Sequence, residues 1–241
     1  MTVNEIRKQE IREIYLRVTE KIAEAKAHRN AGTGDVCLLA ATKTVPAEEI
    51  LYAVNELGLP AVGENKVQEF LSKYDSLQNT VPLHIIGHLQ TNKVKSIVGK
   101  VDMIQSVDSV RLAKEISDKS MKAGVTTRVL CEINIGCEEN KSGILPDRAL
   151  ETVAEIEELP GIDVRGLMTM APVCEKNDEY RKYFEKTYAI YLDFLRKKSH
   201  NIGEYILSMG MSDSYEAAIA EGATMVRVGS SIFGKRIYPE K

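Results

Sequence analysis

Short apolar runs alternate with amphipathic segments along almost the whole chain, and this pattern restricts the fold more than any other feature. After an opening segment with helical spacing over residues 3–29, a strand-sized run followed by a helical stretch occurs eight times. Eight such units predict a (β/α)8 barrel, or TIM barrel, with one extra N-terminal helix. The competing fold, a doubly wound open sheet, usually begins with a glycine-rich turn, and Thr42-Lys43-Thr44 is not one.

No linker rich in proline, glycine or serine interrupts the 241 residues. We therefore expect one domain over residues 1–241, with the N-terminal helix inside 1–30 and the barrel over 36–234. The predicted strands cover 37–42, 60–63, 83–86, 103–107, 128–135, 164–168, 205–209 and 224–228. The predicted barrel helices cover 46–57, 66–74, 91–98, 108–123, 146–159 and 177–199, and a last one opens with Asp213 and Glu216 in capping-box spacing.

Composition excludes several classes of function. Lysines and arginines are scattered among acids and the formal net charge is -3, so no basic surface for nucleic acid is expected. The apolar runs are too short to span a membrane, and charge from Glu5 onward argues against a secretory signal peptide. The four cysteines lack CxxC spacing and neighbouring histidines, which predicts reduced thiols in a cytoplasmic protein and no metal site.

Lys43 ends the first predicted strand, after the apolar run Cys37-Leu38-Leu39-Ala40-Ala41-Thr42. In TIM barrels the residues that carry chemistry lie at the C-terminal ends of the strands. A lysine at the rim of a core must find a partner or lose its proton, and a lysine with a lowered pKa forms Schiff bases with carbonyl compounds. Lys43 is therefore a candidate for carbonyl binding.

The loops after strands seven and eight have the composition of a phosphate site. Gly229 and Ser230 follow strand eight, and Ser212 follows strand seven. These two loops are the usual phosphate cradle of the fold, since glycines expose backbone N–H groups and serines add hydroxyl donors. The alternative is that both are simply tight turns.

Arg227 precedes Gly229 by two residues and therefore shares its inward direction on strand eight. A guanidinium inside a barrel either pairs with an acid or faces an acceptor on a ligand. Facing a pyridine nitrogen, it would hold that nitrogen unprotonated. A Schiff-base lysine, a phosphate cradle and an inward arginine together describe a site for pyridoxal 5′-phosphate (PLP).

Several motifs, in order along the chain, resemble those of the pyridoxal phosphate homeostasis proteins, single-domain relatives of alanine racemase. They are Leu39–Val45, Gly63–Glu69, His84–Lys93, Asn134–Gly136 with Lys141–Gly143, Gly166–Met170, Ser208–Asp213 and Val226–Gly234. The resemblance implies that Lys43 bears PLP as a Schiff base and that Arg227 faces the ring nitrogen. It also implies phosphate contacts from Ser212, Gly229 and Ser230, and ring contacts from Asn65 and Met168.

The resemblance leaves two roles to weigh, carrier or enzyme. A racemase needs a second base opposite the lysine, usually a tyrosine from an additional domain, and here only Tyr215 follows a strand end closely. An arginine at the ring nitrogen also weakens the ring as an electron sink. We therefore expect a monomeric, non-catalytic PLP carrier that takes part in vitamin B6 homeostasis and supplies PLP-dependent apoenzymes. The alternatives are a PLP-dependent amino-acid racemase and a cofactor-free aldolase that uses Lys43.

Two histidines and three lysines keep two interpretations each. His84 begins strand three and is expected to be a buried, hydrogen-bonded structural residue, whereas His88 lies near the site end and could tune the Schiff base. Lys93, Lys95 and Lys141 are expected on solvated surfaces, with attraction of phosphorylated ligands as the alternative.

Overall fold

The computed structural model describes residues 3–32, 34–198 and 205–234. Its eight strands are all parallel and close into a barrel in chain order, as the alternating pattern predicts. The strands are β1 (Cys37–Ala41), β2 (Ala61–Glu64), β3 (Leu83–Ile85), β4 (Met103–Val107), β5 (Thr127–Ile133), β6 (Ile162–Thr169), β7 (Ile206–Ser208) and β8 (Met225–Val228). The predicted fold class is confirmed.

The helices surround the barrel, and the N-terminal one is additional to the repeating units. They are α1 (Glu5–Ala27), α2 (Ala47–Leu57), α3 (Val67–Leu77), α4 (Val110–Ala123), α5 (Ala149–Glu157), α6 (Asn177–Arg196), α7 (Tyr215–Ala220) and α8 (Ser230–Phe233). Helix α1 packs against α2, α7 and α8. Gly58 ends α2 in the left-handed conformation that its position predicts.

Three local predictions about helices are wrong. The predicted helix 91–98 is a 3-10 helix over Thr91–Ser96, and the predicted helix 146–159 starts with a 3-10 turn over Pro146–Arg148. Turns of 3-10 geometry are frequent as connectors and at the N-termini of α-helices, which is where these two segments lie. Asp213 does not cap α7, which follows Ser214, and the Ser214 hydroxyl oxygen accepts a hydrogen bond from the Met211 N–H of the preceding loop instead.

Side chains alternate between two cores, as expected for strands with a helical layer outside. Leu38 and Ala40 belong to the large core between the strands and the helices, whereas Leu39 points into the barrel. The barrel interior contains two small apolar clusters. Their buried members are Leu39, Ala61, Ile86 and Met225 in one, and Met103, Leu130 and Met168 in the other.

The four cysteines form no disulfide bond. Among the residues that the structure describes, no group of three or more His, Cys, Asp or Glu side chains is placed to hold a metal ion. No helix in the described ranges is long and apolar enough to cross a membrane.

Candidate cofactor-binding site

The pairing of β1 with β8 closes the barrel and brings the first and the last strand side by side. Leu39 pairs with Arg227 and Ala40 with Val228, so the residues that follow both strands lie at the same barrel edge. Lys43 is in the turn after β1 and is half-buried. A Cβ at Gly229 would lie 2.6 Å from the Ala41 carbonyl oxygen, so only glycine allows this close approach of the strand ends.

Arg227 lies inside the barrel, with only 3% of its surface exposed. Its Nη1 donates to the Ser208 hydroxyl oxygen and its Nη2 to the Thr169 carbonyl oxygen, both at 2.7 Å. Burial lowers the pKa of the guanidinium to about 10, an effect that the charge of Glu132 opposes. The group therefore remains a charged, donor-only guanidinium at neutral pH. The sequence left open whether Arg227 pairs with an acid. In the structure Glu132 acts on it through its charge, while the Ser208 hydroxyl and the Thr169 carbonyl accept its hydrogen bonds.

A chain of buried hydrogen bonds links Arg227 to the third strand. The Ser208 hydroxyl donates to Gln105 Oε1 at 2.7 Å, and Gln105 Nε2 lies 2.8 Å from His84 Nδ1. Burial lowers the pKa of His84 to about 4, so its ring is neutral at pH 7 and Nδ1 can accept from the amide. The prediction that His84 is buried and hydrogen-bonded is correct, and the network also connects it to Arg227.

Glu132 on β5 is a buried acid whose charge acts on the pKa of Arg227. It is 5% exposed, and among the described residues its buried Oε2 has no hydrogen-bond partner. Burial raises the pKa of its carboxyl group to about 7; the charge of Asp108 raises it further, while those of Arg227 and His88 lower it. Glu132 can therefore gain or lose a proton near neutral pH.

His88 lies at the mouth of the barrel, where its side chain is 58% exposed and its Nδ1 is 3.1 Å from Asp108 Oδ2. Its side chain lines two cavities. One, of about 410 Å³, contains Glu132 and Asn134 at its wall, together with Ile133, Asn140, Lys141, Ser142 and Met170. The other, of about 640 Å³, lies between Asn65 and Lys93, together with Lys66, Val67, Gln68, Glu69 and Gln90.

The remaining predicted contacts occupy different depths. Asn65 is exposed at the end of β2, and Ser212 is half-buried in the loop after β7. Met168 is fully buried inside the barrel, in register with Glu132 of β5 and Ser208 of β7. Ser230 begins α8, and its side chain lies outside the described part of the structure. The fold thus places Lys43, Asn65, Ser212 and Gly229 at one face and Met168 below it.

Sequence reasoning missed Glu132, Gln105 and Ser208. Each interrupts an apolar strand at an inward position, in the runs Leu130-Cys131-Glu132-Ile133, Ile104-Gln105-Ser106 and Leu207-Ser208-Met209. This is the signal that identified Arg227, and applied to every strand it would have found all three.

Comparison with known proteins identifies the family. The family model for the alanine racemase N-terminal domain matches residues 17–237 of this chain. The pyridoxal phosphate homeostasis protein of Aquifex aeolicus is 45% identical over 225 residues, which cover 92% of this chain and 96% of that protein. The chain belongs to this family of pyridoxal phosphate homeostasis proteins.

Two further relatives agree with the assignment. The pyridoxal phosphate homeostasis protein of Escherichia coli (strain K12) is 37% identical over 228 residues, covering 93% of this chain and 96% of that protein. PipY of Synechococcus elongatus, solved with PLP bound, superposes with a TM-score of 0.75 at 28% identity and covers 90% of this chain and 100% of its own. Members of the family therefore share the barrel described above.

Proposed function

We propose that this protein binds PLP as a Schiff base on Lys43 and takes part in intracellular vitamin B6 homeostasis. The observation that carries the proposal is the β1–β8 pairing, which brings Lys43, Arg227 and Gly229 to one end of the barrel. The PLP-bound structure of PipY, and the relatives that are pyridoxal phosphate homeostasis proteins, support the same ligand.

The residues at this end fit the ligand in chemical type. Lys43 provides an amine for the aldehyde, Arg227 provides N–H donors for the ring nitrogen, and Ser212, Gly229 and Ser230 provide donors for the phosphate. Asn65 and Met168 are proposed to line the ring. When bound, PLP supplies an aldehyde whose carbon forms a double bond to the lysine nitrogen while its oxygen leaves as water.

The protein's own groups favour holding the ligand over acting on it. Because Arg227 stays protonated at neutral pH, it offers the ring nitrogen only donors, and electron withdrawal through a protonated ring is lost. Tyr215, the tyrosine that follows a strand end, is buried in α7, and burial raises the pKa of its phenol to about 12. A phenol with this pKa is a poor base near pH 7.

We further propose where the protein acts and with which partners. The whole chain, residues 1–241, acts as one domain and as a monomer in the cytoplasm. Its partners are PLP and the PLP-dependent apoenzymes that receive it. Nucleic acid is not among its ligands, in keeping with the scattered charges of the sequence.

The decisive test locates the ligand on the chain. Purified protein is mixed with PLP, its visible spectrum is recorded, the complex is reduced with borohydride, and the pyridoxyl group is mapped by peptide mass. We expect label on Lys43 in the wild type, no label there in Lys43→Ala, and wild-type behaviour in the control Lys119→Ala, whose lysine lies on α4. Label on another lysine contradicts the assignment.

The same preparation separates the alternatives. A purified protein that is colourless, and whose spectrum with added PLP is only the sum of the separate spectra of protein and free PLP, contradicts the proposal and favours an aldolase that uses Lys43 without a cofactor. Alanine racemisation within about an order of magnitude of a dedicated racemase contradicts the carrier role and favours the racemase.

A further inference from the structure

The two peptide groups that flank Lys43 are each bonded to a side chain of helix α3. The Thr42 carbonyl oxygen accepts a hydrogen bond from Lys73 Nζ at 2.8 Å, and the Thr44 N–H donates to Glu69 Oε2 at 2.8 Å. Glu69 and Lys73 are four residues apart on α3 and therefore lie on the same face of the helix. One helix face thus holds the backbone on both sides of Lys43.

Lys73 is itself fixed by a buried acid. Its Nζ is 2.7 Å from Glu64 Oε1, the same oxygen that accepts a hydrogen bond from the Thr42 hydroxyl at 2.7 Å. The Glu64 side chain is 4% exposed and that of Lys73 is 12% exposed. Two elements, the end of β2 and α3, therefore hold both the side chain and the carbonyl group of Thr42.

The turn needs such support because its backbone is unfavourable. Thr44 has a φ of 65°, in the left-handed region that a β-branched residue rarely adopts. Residues held in this region persist only where the surrounding structure overdetermines them. The Glu69 bond acts directly on the N–H of this residue.

We propose that Glu69 and Lys73 are positioning residues that fix the turn at Lys43 and so aim its amine at the carbonyl group of the ligand. This inference rests on the proposed binding of PLP to Lys43. The lysine ammonium is carried on a flexible four-carbon side chain and can reach many positions. The direction in which the amine points therefore depends on how firmly the backbone at Lys43 is held. Correct orientation of two reacting groups lowers the barrier to bond formation, and a misplacement of about 1 Å can reduce a rate about 100-fold.

The test compares Lys73→Met, Lys73→Arg and Glu69→Met with the wild type. Because Lys73→Met leaves the Glu64 carboxyl without its cation, the double variant Glu64→Gln with Lys73→Met removes the acid's charge as well and keeps the test valid if the single variant fails to fold. Lys119→Met and Glu151→Met are matched controls, since both residues lie on helix surfaces, Lys119 in a partly exposed ion pair and Glu151 in an exposed one.

Two measurements separate positioning from general stability. Amide hydrogen exchange of the ligand-free protein reports on the Thr42–Thr44 turn, and stopped-flow absorbance reports the rate at which the Schiff base forms. We expect faster exchange in the turn and at least about a tenfold slower rate for Lys73→Met, the double variant and Glu69→Met, which has no acceptor oxygen for the Thr44 N–H. We also expect partial recovery in Lys73→Arg and wild-type behaviour in both controls. The visible circular dichroism of bound PLP should weaken in the same variants.

Failure of this inference differs from failure of the proposed function. A wild type labelled on Lys43, with variants that keep its exchange pattern, rate and visible circular dichroism, overturns the positioning role alone. A wild type without label on Lys43 overturns the proposed function and this inference with it. Slow binding that accompanies uniform loosening of the whole barrel also overturns positioning, because the effect is then one of stability.

Discussion

Arg227 and Ser208 face each other inside the barrel, with the guanidinium Nη1 2.7 Å from the hydroxyl oxygen. The hydroxyl in turn donates a hydrogen bond to Gln105 Oε1, so it accepts from a charged group and donates to a neutral amide. Hydrogen bonds to charged groups are stronger than those between neutral groups, and buried networks of this kind hold their members in one geometry. The orientation of Arg227 is therefore set by β6 and β7 before any ligand binds.

Arg227→Gln should weaken retention of PLP while the barrel remains folded. Loss of a charge-assisted donor corresponds to about 1.5–3 kcal/mol, or a dissociation constant raised tenfold or more. Equilibrium dialysis measures the constant, and circular dichroism in the far ultraviolet reports the fold. The exposed Arg148→Gln, which loses only a surface pair with Glu151, is the control. An unchanged dissociation constant would remove Arg227 from the site.

Gly229→Ala should separate the ends of β1 and β8. The added Cβ would lie 2.6 Å from the Ala41 carbonyl oxygen and 3.1 Å from its Cβ, so we expect a loss of stability of about 1–3 kcal/mol and weaker PLP binding. Urea unfolding and ligand titration measure the two effects. Gly58→Ala adds a methyl group at a φ of 74° with open space around it, at the opposite end of the barrel. Gly58→Ala should lower stability without weakening PLP binding. Equal effects of the two variants on binding would contradict the role of Gly229 at the site.

Glu132→Gln should make the stability of the ligand-free protein less dependent on pH. The carboxyl pKa is about 7 in the folded state against an ordinary 4.5, so the folded state binds more protons between these values and its unfolding free energy falls as pH rises. The full difference corresponds to about 3 kcal/mol. The unfolding free energy of the glutamine variant, taken relative to that of the wild type, should therefore rise by about 2 kcal/mol from pH 5 to pH 8.

Urea unfolding of both proteins at the two pH values measures this change. His84 has a lowered pKa and titrates in both proteins, with stability lost as pH falls from about 6.5 toward 4. Its contribution cancels in the difference between the two. Parallel stability curves would show that Glu132 does not carry the raised pKa.

Arg7→Ala should loosen the contact between the N-terminal helix and α8. Arg7 Nη2 donates to the Phe233 carbonyl oxygen at 2.7 Å, and the same guanidinium bonds both carboxylate oxygens of Glu49. Because the group is only 27% exposed, we expect a loss of about 1 kcal/mol in unfolding free energy. Thermal unfolding measures it. Arg196→Ala, which breaks an exposed pair within α6, should change stability by less, and an equal loss would argue against a specific contact.

Local pattern was enough for the barrel and for part of the candidate site. The period of two along a strand predicted that Arg227 points into the barrel, where it is buried. Local pattern was less reliable for short connections such as Thr91–Ser96, because α and 3-10 turns have similar side-chain periods over six residues. The Asp213 cap failed because α7 begins one residue later than predicted, with Ser214 at the N-cap position.

Pairing between distant residues depended on how the barrel closes. Gln105 and Ser208 are separated by 103 residues, and Lys73 is separated from Thr42 by 31, yet each pair is in hydrogen-bond contact. Periodicity along a chain tells which face a side chain takes, because that depends on its neighbours in sequence. Register and closure tell which residue it meets there, because they depend on the packing of all eight strands together. Lys43 could thus be named as a candidate from the chain alone, whereas the α3 residues bonded to its turn emerged only from the folded barrel.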